Sequence, residues 1–377
     1  MQITQIDLVS YRNYQKQRVA FGPSLNLLTG NNAQGKTNLI EALYYFSIGK
    51  AYRSSREEQL VPWGESQFQI KADFCGRQGK STIEIKYALV PKKCKEIFLG
   101  GLPLQKKSQL SGLITSVLFA PENLTIVKGS PQERRRFLDY DLTQMSQLYA
   151  SGLSKYHRLL NQRNALLKKI RIDGLTTRQY KTQMELWNQQ LIETGSQLIE
   201  KRLDTLDKLN PLTRLMQSKI SKGEENIELK YLLCQNKPVH SAQDVKEILS
   251  QMAEENWKED LRLGTTQWGP HRDDFLLSYN GKDLKSYGSQ GQQRSTVLAL
   301  KLAELELFRG ETGEYPLLLL DDVLSELDAS RQKQLVEIIQ DKAIQCFITS
   351  TEASLFEGNM KRAMVHYKID KGQIQPL

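Results

Sequence analysis

The feature that most constrains this 377-residue chain is a short loop near its start, residues 30–37, which reads GNNAQGKT. It matches the phosphate-binding pattern G-x-x-x-x-G-K-[ST] without a mismatch, and it stands between an apolar strand pattern and a helical pattern. In such a loop backbone N–H groups hold phosphate oxygens, the lysine binds the β- and γ-phosphates, and the threonine hydroxyl binds Mg²⁺. We therefore expect ATP and Mg²⁺ as cofactors, bound by the whole loop: Gly30, Asn31, Asn32, Ala33, Gln34, Gly35, Lys36 and Thr37.

A second candidate segment lies far downstream, where the four leucines of residues 317–320 run into Asp321 and Asp322. The leucines predict a buried strand, and open α/β sheets bind their ligands at the C-terminal ends of such strands. One carboxylate there suits a hydrated Mg²⁺, and a second suits the positioning of an attacking water. Alone, the segment fits a core strand followed by a polar turn equally well. With the phosphate loop, it predicts Thr37 and Asp321 as metal ligands and Asp322 and Lys36 as catalytic residues.

Composition places the chain among globular proteins, with 25% charged and 39% hydrophobic residues. No apolar run approaches the roughly 18 residues of a membrane span, and the first residues alternate like a strand rather than a secretory signal. The four cysteines form no C-x-x-C pair, so neither a disulfide framework nor a zinc site is indicated. We expect a cytoplasmic location and no membrane partner.

The net charge of +9 is concentrated in one part of the sequence. Residues 151–222 hold 14 Lys and Arg against six Asp and Glu, which is nearly the whole excess. Such a local asymmetry favours a polyanionic partner such as DNA over a merely solvated surface, although solubility alone would also explain it.

The middle of the chain has the apolar spacing of long helices, from residue 144 to Pro211 with a break at Asp173 and Gly174. A helix is expected to begin after Ser130, which is followed by Pro131 and Glu133 in a capping pattern. Its three consecutive arginines, residues 134–136, cannot all face one way, so at least one should pair internally. Residues 227–232 predict a strand and residues 242–263 a helix. His271 and Arg272, in the run WGPHRDDF, are expected to contact phosphate or a partner.

Taken together, the loop, the acidic strand end and the run SQGQQR at residues 289–294 resemble the ABC-type ATPase head. The resemblance implies that Ser289, Gly291 and Gln292 complete the ATP site of a second subunit, with Asp328 at the dimer seam. It also places Arg12 or Asn13 near the nucleotide base, where a solvated hairpin tip is an equal alternative. The implied fold is α/β: a mixed sheet with the phosphate loop, an antiparallel sheet, and an inserted, mainly helical lobe without a long coiled coil. The expected division is 1–128 and 266–377 for the head and 129–265 for the lobe.

Six motifs in order resemble the bacterial RecF family over essentially the whole chain: TGNNAQGKTNLIEALYYFSIGKAYRSSREEQLV, FAPENLTIVKGSPQERRRFLDYDL, YHRLLNQRNALLK, WGPHRDDF, SQGQQRSTVLALKLAELELF and LLLLDDVLSELD. The resemblance implies an ATP-dependent homodimer that binds double-stranded and gapped DNA. It also implies work with RecR and RecO, indirectly with RecA, in repair, replication and SOS induction, and a weak, DNA-stimulated ATPase activity.

Two alternatives stand beside this interpretation. A transporter-type ATPase subunit is disfavoured because Thr349, Ser350 and Thr351 stand where many transport ATPases have a histidine. An ATP-regulated scaffold with incidental DNA affinity would bind DNA only weakly at physiological salt.

Overall fold

A computed structural model describes residues 1–53, 56–77, 79–173, 177–221, 226–234, 244–324, 327–342, 344–351 and 364–377. Its strands are β1 Gln2–Tyr11, β2 Tyr14–Ala20, β3 Leu25–Thr29, β4 Gln67–Gly76, β5 Gly79–Ala88, β6 Cys94–Leu99, β7 Leu102–Pro103, β8 Ser116–Phe119, β9 Ile227–Leu232, β10 Asp274–Tyr279, β11 Lys282–Asp283, β12 Leu317–Leu320, β13 Cys346–Ser350, β14 Met364–Asp370 and β15 Gln373–Pro376. Its α-helices are α1 Lys36–Ile48, α2 Thr125–Lys128, α3 Pro131–Met145, α4 Gln147–Asp173, α5 Thr177–Ser221, α6 Asp244–Glu255, α7 Trp257–Leu263, α8 Leu284–Tyr287, α9 Gln290–Thr312 and α10 Ala329–Asp341.

The chain divides into two compact units. Unit 1 comprises Met1–Asn123, Lys219–Lys222 and Leu298–Leu377, and unit 2 comprises Leu124–Ser218 and Gly223–Val297. Unit 2 therefore includes residues 266–297, which the sequence pattern groups with the ATPase head. The functional division of the chain stays a prediction.

Unit 1 contains two sheets of six described strands each. The first has the order β2-β1-β4-β5-β6-β7 with antiparallel neighbours, which confirms the expected antiparallel sheet. The second has the order β15-β14-β3-β13-β12-β8, parallel from β14 to β8 and antiparallel only at β15. Helix α1 is buried along almost its whole length, as a helix covered on more than one side must be.

Unit 2 is mainly helical, with a small antiparallel sheet of order β11-β10-β9. Its core joins α4 and α5 through Tyr156, Leu160, Leu191 and Leu198, with Trp268 fully buried beside them. Helix α3 begins where expected, because Ser130 and Glu133 form a reciprocal capping box behind Pro131.

Two helix boundaries differ from the prediction. Helix α5 continues through Pro211 to Ser221, since buried Met216 and Ile220 hold the later turns and the Asn210 amide bonds both backbone groups of Leu229. The expected helix over 242–263 is two helices, because the helical conformation is interrupted at Asn256. The expected break at Gly174 lies outside the described residues.

Candidate nucleotide-binding site

The parallel sheet of unit 1 brings the predicted segments to one edge. In the order β3-β13-β12-β8, Thr29 pairs with Ser350, and Leu320 pairs with both Ile348 and Phe119. Because parallel strands all end on the same side, residues after β3, β13 and β12 meet there. The phosphate loop and Asp321 are thus brought together, with β13 between their strands.

The backbone of the phosphate loop has positive φ angles at three residues, two of which are glycines. Gly30 and Gly35 have φ values of 154° and 123°, and Ala33 lies in the left-handed region at 65°. A Cβ on Gly30 would lie 2.2 Å from the carbonyl oxygen of Ile369, so only glycine fits there. Lys36 turns its Nζ back over the loop and donates to the carbonyl oxygens of Gly30 (2.6 Å) and Asn31 (3.0 Å). Burial lowers the pKa of the Lys36 ammonium, and Asp322 and Asp321 oppose that shift.

Asp321 is 4% exposed and is the centre of a hydrogen-bonded cluster. Its Oδ1 accepts from the hydroxyls of Thr37 and Thr349, both at 3.0 Å, and its Oδ2 accepts from the Tyr52 hydroxyl at 3.2 Å. Burial raises the pKa of this carboxyl, and the three donors pull it back down. Through these three hydroxyls, helix α1, strand β13 and the segment after α1 are all hydrogen-bonded to one carboxylate.

Asp322 has an exposed side chain and a left-handed backbone, with φ 53°. Its backbone N–H donates to the Thr349 hydroxyl at 2.8 Å. One threonine therefore holds both acids, accepting from the backbone of Asp322 and donating to the carboxylate of Asp321.

Two turns flank the phosphate loop. From the β1–β2 turn, the Asn13 amide donates to the Gln34 carbonyl at 2.8 Å and accepts from Asn38 at 2.8 Å. From the β14–β15 turn, the backbone N–H groups of Lys371 and Gly372 donate to Gln34. Asn13 therefore lies directly beside the loop.

Arg12 is placed differently from its neighbour Asn13. Its guanidinium donates to the buried Glu41 carboxylate at 2.8 Å and to the Gln59 carbonyl at 3.1 Å. These contacts hold Arg12 against unit 1 itself, whereas Asn13 contacts the loop.

The residues at this edge fit Mg²⁺. Thr37 and Asp321 offer hard oxygen donors 3.0 Å apart, and neighbouring ligands on an octahedral Mg²⁺ with bonds of about 2.1 Å lie about 3.0 Å apart. Within the described residues, no group of three or more His, Cys, Asp and Glu side chains is arranged to hold a metal ion. Two protein oxygens are in keeping with the way Mg²⁺ completes its shell with waters and phosphates.

The run SQGQQR, residues 289–294, forms the start of helix α9 in unit 2. The Ser289 hydroxyl accepts from the Gln292 N–H at 3.2 Å, and the Gln292 side chain accepts from the Ser289 N–H at 2.8 Å. This reciprocal cap fixes the start of the helix while Ser289 stays exposed, and Gly291 lies half-buried between them. Asp328, in unit 1, caps α10 by accepting from the Arg331 N–H at 2.9 Å.

Sequence reasoning missed two side chains of the Asp321 cluster, Tyr52 and Thr349. The sequence distinguishes Thr349 only as one of three residues that stand where many transport ATPases have a histidine. Tyr52 lies in a loop after α1, and no pattern points from it to Asp321. Lys371 and Gly372 contact Gln34 of the phosphate loop through backbone N–H groups, which a pattern of side chains does not reveal.

Two arginines counted in the basic segment are structural. Arg163 is fully buried against Asp260 at 2.7 Å, and Asp260 also accepts from the Trp268 indole at 3.2 Å. Arg202 is buried with Asp139 at 2.7 Å. Their charges are neutralised inside unit 2 and are not presented to a partner.

The run WGPHRDDF also belongs largely to the interior, and the His271 side chain within it is half-buried. Its Nδ1 lies 2.8 Å from the Tyr156 hydroxyl, and burial lowers the pKa of His271 to about 3. Asp273 is buried as well, accepting from the Tyr231 hydroxyl and the Cys234 N–H, and burial raises its pKa to about 6. Arg272 stays exposed.

The arginine run behaves as the geometry requires. Arg134 forms a two-pronged ion pair with Asp274 at 2.7 and 2.8 Å, and Arg135 donates to the Asp273 carbonyl. Internal pairing within the run is thereby confirmed.

Among the helices that the structure describes, none is long and apolar enough to cross a membrane.

Comparison with known proteins agrees with this geometry. The family model described as "RecF/RecN/SMC N terminal domain" matches residues 2–375. A DNA replication and repair protein RecF from Alkaliphilus oremlandii is 40% identical over 99% of this chain and 100% of its own length. The protein of the same name from Bacillus velezensis is 39% identical over 99% of this chain and 100% of its own length.

Solved structures give the same result. The recombination mediator protein RecF in the RecFOR pathway, solved with ATP, is 35% identical and has a TM-score of 0.90, covering 100% of this chain and 97% of its own. Its ATPrS form has a TM-score of 0.89 over 100% and 98%. An Smc head domain from Pyrococcus furiosus, 16% identical with a TM-score of 0.57 over 100% and 95%, shares the fold alone.

Proposed function

The chain belongs to the RecF family, and from this premise we propose that it is an ATP-dependent, DNA-binding recombination mediator of DNA replication and repair. ATP closes two copies into a dimer, the dimer holds DNA, and slow hydrolysis releases it. With RecO and RecR the protein promotes RecA loading at gaps, in repair, replication maintenance and SOS induction. Family membership favours this over a transport ATPase.

The observation that carries the ATP-dependent part is the meeting of Thr37, Thr349 and Asp321 beside the phosphate loop. Lys36 and the loop N–H groups bind the phosphates, and Thr37 and Asp321 hold Mg²⁺. When bound, the ion neutralises phosphate charge. Asp322 positions the attacking water.

The base of the nucleotide lies near the β1–β2 turn. Asn13 is the better supported contact there, because Arg12 is already held by Glu41. In the dimer, the exposed Ser289 and its neighbours Gly291 and Gln292 complete the ATP site of the other copy, and Asp328 lies at the seam.

Hydrolysis is expected to be slow and stimulated by DNA. ABC heads commonly position water with a glutamate, and Asp322 is one methylene shorter. A turnover of about tens per second, which is ordinary for enzymes, would contradict the clamp role.

The test is duplex-DNA binding at fixed salt with ATP, with ADP and without nucleotide, for the wild type and Ser289→Arg. Gln290→Arg is the matched control, since it adds the same charge at the adjacent exposed position. ATP should tighten DNA binding, and only Ser289→Arg should abolish the gain while retaining ATP binding. DNA affinity that ignores nucleotide in all three proteins would refute the clamp.

A further inference from the structure

Helix α4 in unit 2 has an unusual distribution of charge. Over Gln147–Asp173 it holds six Lys and Arg, and its single acid is Asp173 at its last position. Five of the six basic side chains are exposed, and the sixth is the buried Arg163. The positive charge on the surface of this helix is therefore not offset by any acid of its own before the C-terminus.

The exposed residues of α4 form one face, which we call the outer stripe. Ser154, Arg158, Asn161, Ala165 and Lys168 follow one another at intervals of three or four residues, which places them in line, and all five are exposed. Lys169 lies next to Lys168 on the same side. The opposite face carries the core residues.

The cations of the outer stripe have few partners. Arg158 and Lys168 form no ion pair with any residue that the structure describes, and Lys169 lies 6.0 Å above the ring of Tyr180. Between them stand only small or neutral polar side chains, which add donors without adding negative charge.

Helix α5 differs from α4 in the balance of its charges. Over Thr177–Ser221 it holds seven Lys and Arg and five Asp and Glu. Three of its lysines are paired with acids of the same helix: Lys181 with Glu185 at 3.9 Å, and Lys201 and Lys208 both with Asp204, at 2.8 and 3.0 Å. Such a face offers a phosphate backbone little net attraction.

From these observations we infer that the outer stripe of α4 is the surface on which this protein binds the phosphate backbone of duplex DNA. The inference rests on the proposed function and specifies which element makes the contact. Arg158 and Lys168 are ten residues apart, or about 15 Å at 1.5 Å per residue. B-DNA grooves are about 6 and 12 Å wide, so long side chains at this separation reach phosphates on both sides of one groove. Because phosphate contacts carry no sequence information, binding there is independent of sequence.

The experiment compares two triple variants that remove equal charge. One is Arg158→Gln with Lys168→Gln and Lys169→Gln on α4, and the other is Lys181→Gln with Lys201→Gln and Lys208→Gln on α5. Duplex binding is measured with ATP between about 50 and 200 mM salt. Thermal unfolding and ATP binding should match the wild type in both, since all the changed side chains lie on the surface or are half-buried.

The α4 variant should lose about 2.7 units from the slope of log affinity against log salt, at about 0.9 per phosphate contact. The α5 variant should change the slope by less than about one unit. As a gain-of-contact variant, Ala165→Lys should steepen the slope by about 0.9.

Equal losses in the two triple variants, or a normal slope in the α4 variant, would refute the inference while leaving DNA binding itself intact. Absence of DNA binding by the wild type would instead refute the proposed function, and the inference with it. A loss of affinity without a change of slope would likewise refute it, because the stripe would then affect binding without contacting phosphates.

Discussion

Replacing Thr349 with valine tests whether one hydroxyl holds both acids at the candidate site. Valine keeps the shape of threonine but can neither donate to the Asp321 carboxylate nor accept from the Asp322 N–H, contacts of 3.0 and 2.8 Å at a side chain that is 1% exposed. Thr349→Ser is the matched control, because it keeps the hydroxyl and loses only a methyl group.

The magnitude follows from the two lost hydrogen bonds. A bond to a charged group contributes about 1.5–3 kcal/mol, and a buried N–H left without an acceptor costs about 1–3 kcal/mol. Allowing for partial relaxation, we expect Thr349→Val to lower the unfolding free energy by about 2–4 kcal/mol, which for a unit of this size is roughly 4–16 °C in Tm. Thr349→Ser should lose less than half of that.

The functional effect should exceed the loss of stability. Without Thr349 the Asp321 carboxylate keeps one donor on Oδ1, Thr37, which is itself expected to bind Mg²⁺. Loss of about 1.4 kcal/mol of positioning corresponds to a tenfold change, so Mg²⁺-dependent ATP binding should weaken about tenfold or more, and turnover should fall further because Asp322 also shifts.

Calorimetric unfolding, ATP binding over a Mg²⁺ titration, and single-turnover hydrolysis measure the three effects at a temperature where both variants are folded. If the valine and serine variants bind Mg²⁺-ATP equally well and hydrolyse it at equal rates, Thr349 does not position the acids.

Further predictions concern unit 2 and the water-positioning acid. Burial lowers the pKa of His271 to about 3 in the folded state, whereas an unfolded histidine titrates near 6.5. Below about pH 6.5 the unfolded chain therefore binds a proton that the folded chain does not, and the free energy of unfolding falls. In pH-dependent unfolding, His271→Asn should remove about 2 kcal/mol of that loss at pH 5. Asp273, with its pKa raised to about 6, acts oppositely, because its proton uptake stabilises the folded state as pH falls through about 6 toward 4. Asp273→Asn should therefore steepen the acid loss, by about 1.4 kcal/mol at pH 5, whereas an unchanged slope would contradict its burial as a carboxylate. Asp260→Ala should destabilise the protein by about 3–5 kcal/mol in denaturant unfolding, because it leaves the Arg163 charge buried and unpaired, and Arg163→Met in the same background should recover part of the loss. Asp322→Asn should reduce hydrolysis at least tenfold with ATP affinity nearly unchanged, and equal turnover would remove Asp322 from the catalytic role.

Charge counting alone overestimated the basic surface of this segment. Arg163 and Arg202 contribute to the excess of residues 151–222, but both are buried against acids distant in sequence. His271 is another case, since a titratable residue between glycine-proline and arginine resembles a surface contact, whereas its ring is half-buried and lies 2.8 Å from the Tyr156 hydroxyl of α4. Local sequence cannot report burial when the covering residues come from another element.

The chemistry that is local in the chain can be predicted from the amino-acid sequence. The phosphate loop needs its glycines and lysine in a fixed order, the capping box of α3 needs Ser130 and Glu133 three residues apart, and the leucines before Asp321 specify a buried strand. Each of these depends on contacts within a few residues, so spacing is sufficient to predict it.

Which distant groups meet depends instead on the tertiary structure. Thr349 reaches Asp321 because β13 lies between β3 and β12, and Tyr52 reaches it because the segment after α1 folds over the same edge. Strand order is set by the burial of whole sheet faces and by connections of tens of residues. No local pattern encodes such contacts, because their free energy depends on the packing of elements that are distant in the sequence.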